Sequence, residues 1–391
     1  MNAMGSDEMM KRQQRAWRSA IARCSWVIVG LVLGFGGLSS GEAEERKVRL
    51  MIVDSYHREY LWSKSTQTGL ASAMLKYGYL DNQQEADALA ANDAVESSRA
   101  IIRKEWMDTK RKDATNEIAE STARISKAIA QFKPDLLLLG DDNATNYIGN
   151  QFLDTEIPII FWGLNNWPVK YGLLDSMENP GHNVTGVWQS GYYRESLQLL
   201  HELVPTARTF AILACNSETS RAKIKEIMSL DVEKQLPLDL VGVVKTNSFT
   251  EFQSQVRELL DSVDAFFVVN HDTMKDDMGK HVDMLKVGRW YLEHVQKPET
   301  SDEAQFVQEG MLCTADDSGF NQSFEAFQMA VEILEKHITP STMAPRTPQR
   351  GPLTVNRQRL RTLGLTVGPD VHVDQFIEEA AALQNAAANT P

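Results

Sequence analysis

Short apolar runs recur along the chain, and most of them end in a polar loop. In the stretch 134–168, two such runs at 136–139 and 157–162 enclose a segment of helix length that opens at Asp142 or Asn143. Neither run alternates between polar and apolar positions, and both are too short for helices, which indicates strands covered on both faces. The order strand, helix, strand predicts a parallel α/β sheet here.

The same alternation extends through the first half of the chain. It predicts strands at 48–53 and 100–107 and helices at 63–76 and 115–132. Residues 81–95 are rich in Ala, Asp, Asn and Gln, and we expect them to form an exposed excursion. Strands that alternate with helices predict a doubly wound sheet.

After 179–187 the pattern restarts and predicts a second α/β unit of the same kind. Further strands are predicted at 210–213, 241–244, 266–269, 305–307, 311–313 and 353–356. An amphipathic helix is predicted at 320–336. Four prolines between 338 and 352 indicate a linker, and a short helix is expected to end at Leu363.

The first 43 residues have the order of a secretory signal peptide. Basic residues at 11–23 precede an apolar stretch at 25–37, and the small residues Gly41 and Ala43 follow at the two positions that a signal peptidase reads. The apolar stretch is shorter than the roughly 18 residues of a membrane-spanning helix. We therefore expect cleavage before Glu44 and a periplasmic protein; the alternative is an uncleaved N-terminal anchor.

Charge and cysteine content narrow the possible partners. The formal net charge is −13, and removal of 1–43 would make it about −15, which argues against nucleic acids and anionic membranes. Cys215 and Cys313 fall in apolar strand-like runs, which favours two buried free thiols over a disulfide. There is no CxxC or HExxH motif, so we expect neither a metal site nor a cofactor.

No assembled catalytic group is evident. Ser55 and His57 lack a third partner, and Asp141 and Asp142 are adjacent, so their carboxyl groups need not converge. GxSxG and Walker-type motifs are absent. The sequence therefore predicts a protein without enzymatic activity.

Polar and aromatic residues at strand ends are the candidate ligand-binding residues, because open α/β sheets bind ligands beyond the carboxyl ends of their strands. In order, they are Ser55, Tyr56, Trp62, Asp141, Asp142, Asn143, Asn165, Asn166, Trp188, Asn216, Asn247, Asp272 and Asp316. The aromatic members could equally pack in the core, and Asp272 and Asp316 could cap helices. Acidic and amide groups favour a ligand with donors, amino-acid-like or polyhydroxylated, although a helix N-terminus could also hold a carboxylate.

Several segments resemble the ABC-transporter substrate-binding proteins of the type 1 periplasmic binding fold, particularly the tryptophan- and tyrosine-binding branch. They are NPGHNVTGV (179–187), ELVPTARTFAIL (202–213), AFFVVNHD (265–272), EGMLCTADDSGF (309–320) and LTVNRQRLRTLGL (353–365). The first half is also similar to periplasmic sensor domains of bacterial histidine kinases. Those segments are SYHREYLW (55–62), WMDTKR (106–111), PDLLLLGDDNA (134–144) and IPIIFWGLNN (157–166).

This resemblance implies two doubly wound parallel-sheet lobes joined by three crossings near 186–189, 313–316 and 350–354. The implied limits are 44–187 with 315–349 for lobe 1, 188–314 with 350–380 for lobe 2, and 381–391 for a frayed tail. It implies a solute-binding protein that captures a small polar organic ligand and delivers it to an ABC-type permease. The alternative is a periplasmic sensor that reports to a membrane histidine kinase.

The resemblance also implies hinge closure of the two lobes around the ligand. We expect Asp141–Asn143 and Asn165–Asn166 to hold the ligand first. Asn216 and Asp272 would complete the closed state from the second lobe.

Overall fold

The computed structural model describes residues 46–378, which form two α/β lobes, each built on one sheet. The predicted two-lobed α/β class with mainly parallel sheets is confirmed. The predicted signal peptide at 1–43 and the frayed tail at 381–391 lie outside the described residues. Within 46–378, no helix combines the length and the apolarity needed to cross a membrane.

The first sheet has the strand order β2-β3-β1-β4-β5-β6 and is parallel except at β2. Its strands are β1 (Val48–Asp54), β2 (Ala94–Glu96), β3 (Ala100–Trp106), β4 (Leu136–Gly140), β5 (Ile159–Leu164) and β6 (Val184–Trp188). All residues of β4 and β5 are buried, as strands covered on both faces require.

The second sheet has the order β13-β12-β11-β10-β9-β7-β8, and only β11 and β12 pair in antiparallel. Its strands are β7 (Thr209–Ala214), β8 (Asp239–Lys245), β9 (Ala265–Asn270), β10 (Glu299–Ser301), β11 (Cys313–Ala315), β12 (Leu353–Asn356) and β13 (Gln375–Ile377). Cys215 and Cys313 are buried free thiols, as predicted.

Helices cover both sheets. They are α1 (Leu61–Lys76), α2 (Gln83–Asn92), α3 (Thr115–Phe132), α4 (Tyr193–Leu203), α5 (Glu218–Val232), α6 (Phe249–Leu259), α7 (Met284–His294), α8 (Ala304–Glu309), α9 (Gly319–Lys336) and α10 (Arg357–Thr362). An irregular helical segment follows β4 at 141–151.

Two sequence-based expectations are wrong. The expected excursion at 81–95 is α2 followed by β2; Asn82 caps the helix by accepting from Glu85 N, and Leu89 is buried. The expected strand at 305–307 lies in the six-residue helix α8, which begins where Asp316 Oδ1 accepts from Ala304 N at 2.8 Å.

The chain passes between the two sheets after β6, after β11 and before β12. The residue limits of the lobes given above stay predictions. After the second passage, α9 packs against α1 of the first lobe, so close that a Cβ on Gly69 would lie 2.3 Å from Phe320 O. The first-lobe core therefore contains residues from both ends of the chain, including Ile52, Met74 and Phe327.

Candidate ligand-binding cleft

The loops that follow β1, β3 and β4 are fastened to one another at the carboxyl edge of the first sheet. Ser55 Oγ donates to Gly140 O at 2.6 Å and accepts from Ala144 N at 2.8 Å. Thr109 N donates to Ser55 O, and Asp108 N donates to Tyr56 O. Ser55 is predicted to contact the ligand, but its buried side chain instead connects two loops by hydrogen bonds and lines no part of the cleft.

These loops face the carboxyl edge of the second sheet across two adjoining spaces. The inner cavity has a volume of 10 Å³ and the outer cleft 250 Å³. The inner cavity is lined by Tyr56, Tyr60, Trp62, Lys110, Asp141, Asn165, Gln189, Thr219, Asn270 and Glu303. Both lobes contribute to each space, and a volume of about 10 Å³ holds no more than a water molecule.

Buried acceptor oxygens that have no hydrogen-bond partner within residues 46–378 border the inner cavity. They are Asp141 Oδ2, Asn165 Oδ1, Gln189 Oε1 and Asn270 Oδ1. The amide groups of two of them are oriented by their own donors: Asn165 Nδ2 donates to Asp142 Oδ2 at 2.9 Å, and Gln189 Nε2 donates to Gly163 O at 3.1 Å. The oxygens of those amides are therefore the atoms left without partners.

Asp141 is the ionisable member of this acceptor group. Its Oδ1 accepts from Trp62 Nε1 at 2.8 Å, and Gly163 allows the close approach, since a Cβ there would lie 2.6 Å from the same oxygen. Burial raises the pKa of Asp141 well above its ordinary value, and the nearby charges of Asp54 and Asp142 raise it further. A cation in the cavity would offset this penalty by stabilising the carboxylate.

A buried ion pair joins the two lobes beside the inner cavity. Lys110 Nζ lies 2.7 Å from Asp272 Oδ2, and Tyr60 OH donates to the same oxygen at 2.6 Å. The Lys110 ammonium also lies 4.3 Å from the ring centre of Tyr56. Burial disfavours the charged form of both side chains, but the attraction between the two charges is larger than this desolvation penalty. The pKa of Lys110 is therefore raised, and the pKa of Asp272 is lowered.

Further contacts between the lobes surround this pair. Gln305 Nε2 donates to Tyr60 OH at 3.3 Å, and Lys275 Nζ lies 3.0 Å from Asp113 Oδ1 at the exposed rim. The small inner cavity and these bridges describe a closed arrangement of the lobes.

Asp142 organises the loops of the first lobe rather than the inner cavity. Its two carboxylate oxygens accept from the backbone N–H and side-chain amides of Asn165 and Asn166 and from Tyr171 OH at 2.7 Å. Asn166 lines neither space. Asn165, held by these bonds, turns its remaining oxygen to the inner cavity.

The other predicted amide residues lie at the outer cleft. Asn143 lines this cleft from the first lobe, and Asn216 and Asn247 line it from the second lobe. Asn143 Nδ2 donates to Thr109 Oγ1, and Asn247 Oδ1 accepts from Asn216 N at 2.7 Å. These residues are placed to contact a ligand on its way in or a part that extends outward.

The two predicted crossing residues line neither space. Trp188 packs edge-to-face on Trp167, with ring centres 4.9 Å apart. Asp316 caps α8, and burial raises its pKa to about 7. The sequence left packing open as the alternative role of Trp188 and helix capping as that of Asp316. The contacts of the two residues agree with these alternatives.

Sequence reasoning missed several lining residues. They are Tyr60, Lys110, Gln189, Thr219, Asn270 and Glu303. Asn270 is the last residue of β9 and Gln189 directly follows β6, so the rule applied to other strand ends could have found them. The sequence predicts a local pair of Asp108 with Lys110 or Arg111. Arg111 Nε donates to Asp108 Oδ1 at 2.7 Å, and Lys110 pairs with Asp272 instead.

Residues 88–376 match the family described as ABC transporter substrate binding protein. A curated relative, the tyrosine-binding protein of Clostridioides difficile, is 24% identical over 224 residues, which cover 57% of this chain and 61% of the relative. The chain thus matches less than two thirds of that relative's length.

Three solved structures share the fold at low sequence identity. The ABC domain in complex with L-Trp from Streptococcus pneumonia is 18% identical to this chain, with a TM-score of 0.63. The matched region covers 85% of this chain and 100% of that domain. A ligand-free, open substrate-binding protein with adhesive properties from Clostridium difficile is 20% identical, with a TM-score of 0.61 and coverages of 85% and 99%. A conserved domain protein from Vibrio cholerae is 15% identical, with a TM-score of 0.65 and coverages of 85% and 100%.

Proposed function

Because this chain belongs to the family of ABC transporter substrate-binding proteins, we propose that it captures an amino acid between its lobes and delivers it to an ABC-type permease. The observation that carries the ligand class is the set of unpartnered acceptors at the inner cavity. A ligand group that fills this site must be a hydrogen-bond donor. An acceptor there would place its lone pairs against those of the cavity oxygens.

A protonated amino group fits this requirement. Its three N–H donors match Asp141 Oδ2, Asn165 Oδ1 and one further amide oxygen, and its charge offsets the desolvation of Asp141. Two relatives are described with aromatic amino acids, tyrosine and L-Trp. Tyr56 and Trp62 supply apolar surface for such a side chain, and Lys110 supplies a cation for the carboxylate.

Ligand entry requires the lobes to separate. An inner cavity of 10 Å³ cannot admit an amino acid, so binding starts from an open state in which the bond from Lys110 to Asp272 is broken. The ligand then stabilises closure only if it binds the closed state more tightly than the open state. In this mechanism Asn165 and Asp141 take the amino group first, and the second lobe closes over it.

Calorimetric titration against the L-amino acids tests the ligand class. We expect saturable binding of at least one of them, with aromatic side chains preferred. The N-acetyl derivative of that amino acid is the matched control, because it keeps the side chain and carboxylate but lacks the ammonium. Equal affinity for both compounds, or binding of sugars instead, would exclude the proposed recognition of an amino group.

We further propose that the protein works in the periplasm after removal of residues 1–43. Substrate-binding proteins of ABC systems act outside the cytoplasm, and the basic, apolar and small-residue order of 11–43 supports export. N-terminal sequencing of protein from the periplasmic fraction should start at Glu44. Retention of the first 43 residues would instead support a tethered protein.

The family match favours transport over the alternative of a histidine-kinase sensor, which it does not support. The family consists of binding proteins, and the absence of enzymatic activity in this chain stays a prediction. The amino acid recovered unchanged after prolonged incubation with the protein would agree with it.

A further inference from the structure

Each lobe contributes one carboxyl group to the inner cavity. Asp141 lines the cavity from the first lobe and Glu303 from the second, and neither residue lines the outer cleft. Asp141 is 1% exposed and Glu303 is 5% exposed. Because the cavity holds no more than one water molecule, neither carboxyl group can be fully hydrated while the lobes are closed.

Glu303 directly precedes α8 and shares its cation with a neighbouring carboxylate. Lys223 Nζ of α5 contacts Glu303 Oε1 and lies 2.7 Å from Asp302 Oδ2, and all three side chains are buried. One ammonium cannot neutralise two carboxylates, so the closed cavity disfavours the charge of Glu303. Burial raises the pKa of Glu303 from its ordinary 4.5 to about 7, against the effect of Lys223 and with that of Asp302.

Asp141 is in a similar position on the other side of the cavity. The ammonium of Lys110, which also lines the cavity, lies 2.7 Å from Asp272 Oδ2 and is therefore already paired. Burial raises the pKa of Asp141 well above 3.8, and the charges of Asp54 and Asp142 raise it further. Separation of the lobes would return water to Asp141 and Glu303 and bring both pKa values back towards their ordinary range.

We infer that the unliganded lobes close with uptake of protons by Asp141 and Glu303, so that the empty protein is more closed in acid than at neutral pH. The inference rests on the opening of the lobes proposed above, but not on the class of ligand. Both groups hold a proton more tightly in the closed state, so closure is most favourable below their ordinary pKa values and is weakened as pH rises through the raised ones. For Glu303 this window extends from 4.5 to about 7, and each proton taken up changes the ratio of closed to open molecules by about tenfold per pH unit.

Other ionisable groups face these two carboxyl groups. Around Glu303 they are Asp302, Lys223, Tyr193, Asp316, Tyr60 and Lys110, and around Asp141 they are Asp54, Asp142, Tyr56 and Lys110. Burial raises the pKa values of the three tyrosines, and the pKa of Lys110 is raised by Asp272 against the effect of burial, so these groups keep their protons throughout the window. Asp54 and Asp316 lie outside the cavity.

Small-angle scattering of the unliganded protein between about pH 5 and pH 8 measures closure as a decrease in the radius of gyration. Unfolding in urea and refolding by dialysis removes ligand that was retained during purification. We expect the radius of gyration to increase with pH. Because this measurement uses the unchanged protein, it does not depend on the folding of any variant.

Two substitutions identify the groups that take up protons. Glu303→Gln keeps the shape of the side chain but stays uncharged, so it should be more closed at neutral pH and respond less to pH. The double variant Asp141→Asn and Glu303→Gln should remain closed throughout. Glu226→Gln is the matched control: burial and the charges of Asp302 and Asp317 raise the pKa of Glu226 to about 7, but Glu226 lines neither space. This control should follow the unchanged protein, and circular dichroism melts verify that each variant is folded.

A radius of gyration that is constant or decreases between pH 5 and pH 8 would overturn the inference. The Lys110→Met variant then shows which statement failed: a larger radius in that variant leaves the opening of the lobes intact, whereas an unchanged radius contradicts the opening as well. A double variant that keeps the full pH response, or a response lost equally in Glu226→Gln and Glu303→Gln, would also exclude proton uptake at the inner cavity.

Discussion

We expect the Lys110→Met variant to open the two lobes of the unliganded protein. Removing one partner from a buried ion pair costs about 3–5 kcal/mol, because the remaining charge is left unpaired. Asp272 can recover its hydration when the lobes separate, so this cost shifts the population towards the open state. Lys110 lies at the cavity between the lobes, so the free energy of unfolding should fall by much less.

Small-angle scattering measures the opening as a larger radius of gyration, and urea unfolding measures the stability. Lys275→Met is the matched control, because it removes an ammonium that joins the same two lobes at the exposed rim, where an ion pair contributes about 0–1 kcal/mol. Scattering from Lys110→Met that coincides with the unchanged protein would show that the buried pair does not hold the lobes together.

The Asp141→Asn variant should bind the amino acid about 10–100-fold more weakly. A hydrogen bond to a charged group contributes about 1.5–3 kcal/mol, and the substitution removes the charge while keeping the shape. Calorimetry with the amino acid found by titration measures the loss. Asp108→Asn is the control: Asp108 has a similar positive φ but lies outside the inner cavity. Unchanged affinity in Asp141→Asn would exclude Asp141 as the partner of the amino group.

The same variant should be more stable than the unchanged protein at neutral pH without ligand. The pKa of Asp141 is raised on folding, so its folded form holds a proton more tightly than its unfolded form. Its contribution to stability is complete below the ordinary value of 3.8 and is lost as pH rises towards the raised pKa. Urea unfolding at pH 7 should therefore favour Asp141→Asn, and the advantage should shrink as pH falls to about 4.

Local sequence pattern was sufficient for the residues whose function depends on one strand end. Asp141 and Asn165 follow fully buried strands, and the rule that ligands bind beyond such ends placed both at the inner cavity. The same rule could not separate Asn165 from Asn166. Asp142 accepts from both amides, and the difference lies in their oxygens: Lys170 Nζ donates to Asn166 Oδ1 at 2.7 Å, whereas Asn165 Oδ1 has no partner among the described residues and borders the cavity.

Lys110 shows why part of the site was beyond local reasoning. Its partner Asp272 lies far along the chain and in the other lobe, and no local sequence pattern indicates a pair between residues so distant in sequence. The helix at 304–309 is a similar case. Two buried apolar residues in six predict a strand as well as a helix, and the capping carboxylate of Asp316 comes from a later crossing.

The return of α9 to the first lobe has a consequence for how the protein is made. The faces of α1 that bear Leu70 and Met74 are covered by a helix that does not exist until residue 336 has been synthesised. The second sheet is likewise incomplete until β12 and β13 have been synthesised. Neither lobe can mature while the other is still being made, so folding depends on distant segments, which slows it and prolongs the exposure of apolar surface. A fragment cut after β6 would lack this cover and should aggregate rather than yield an isolated first lobe.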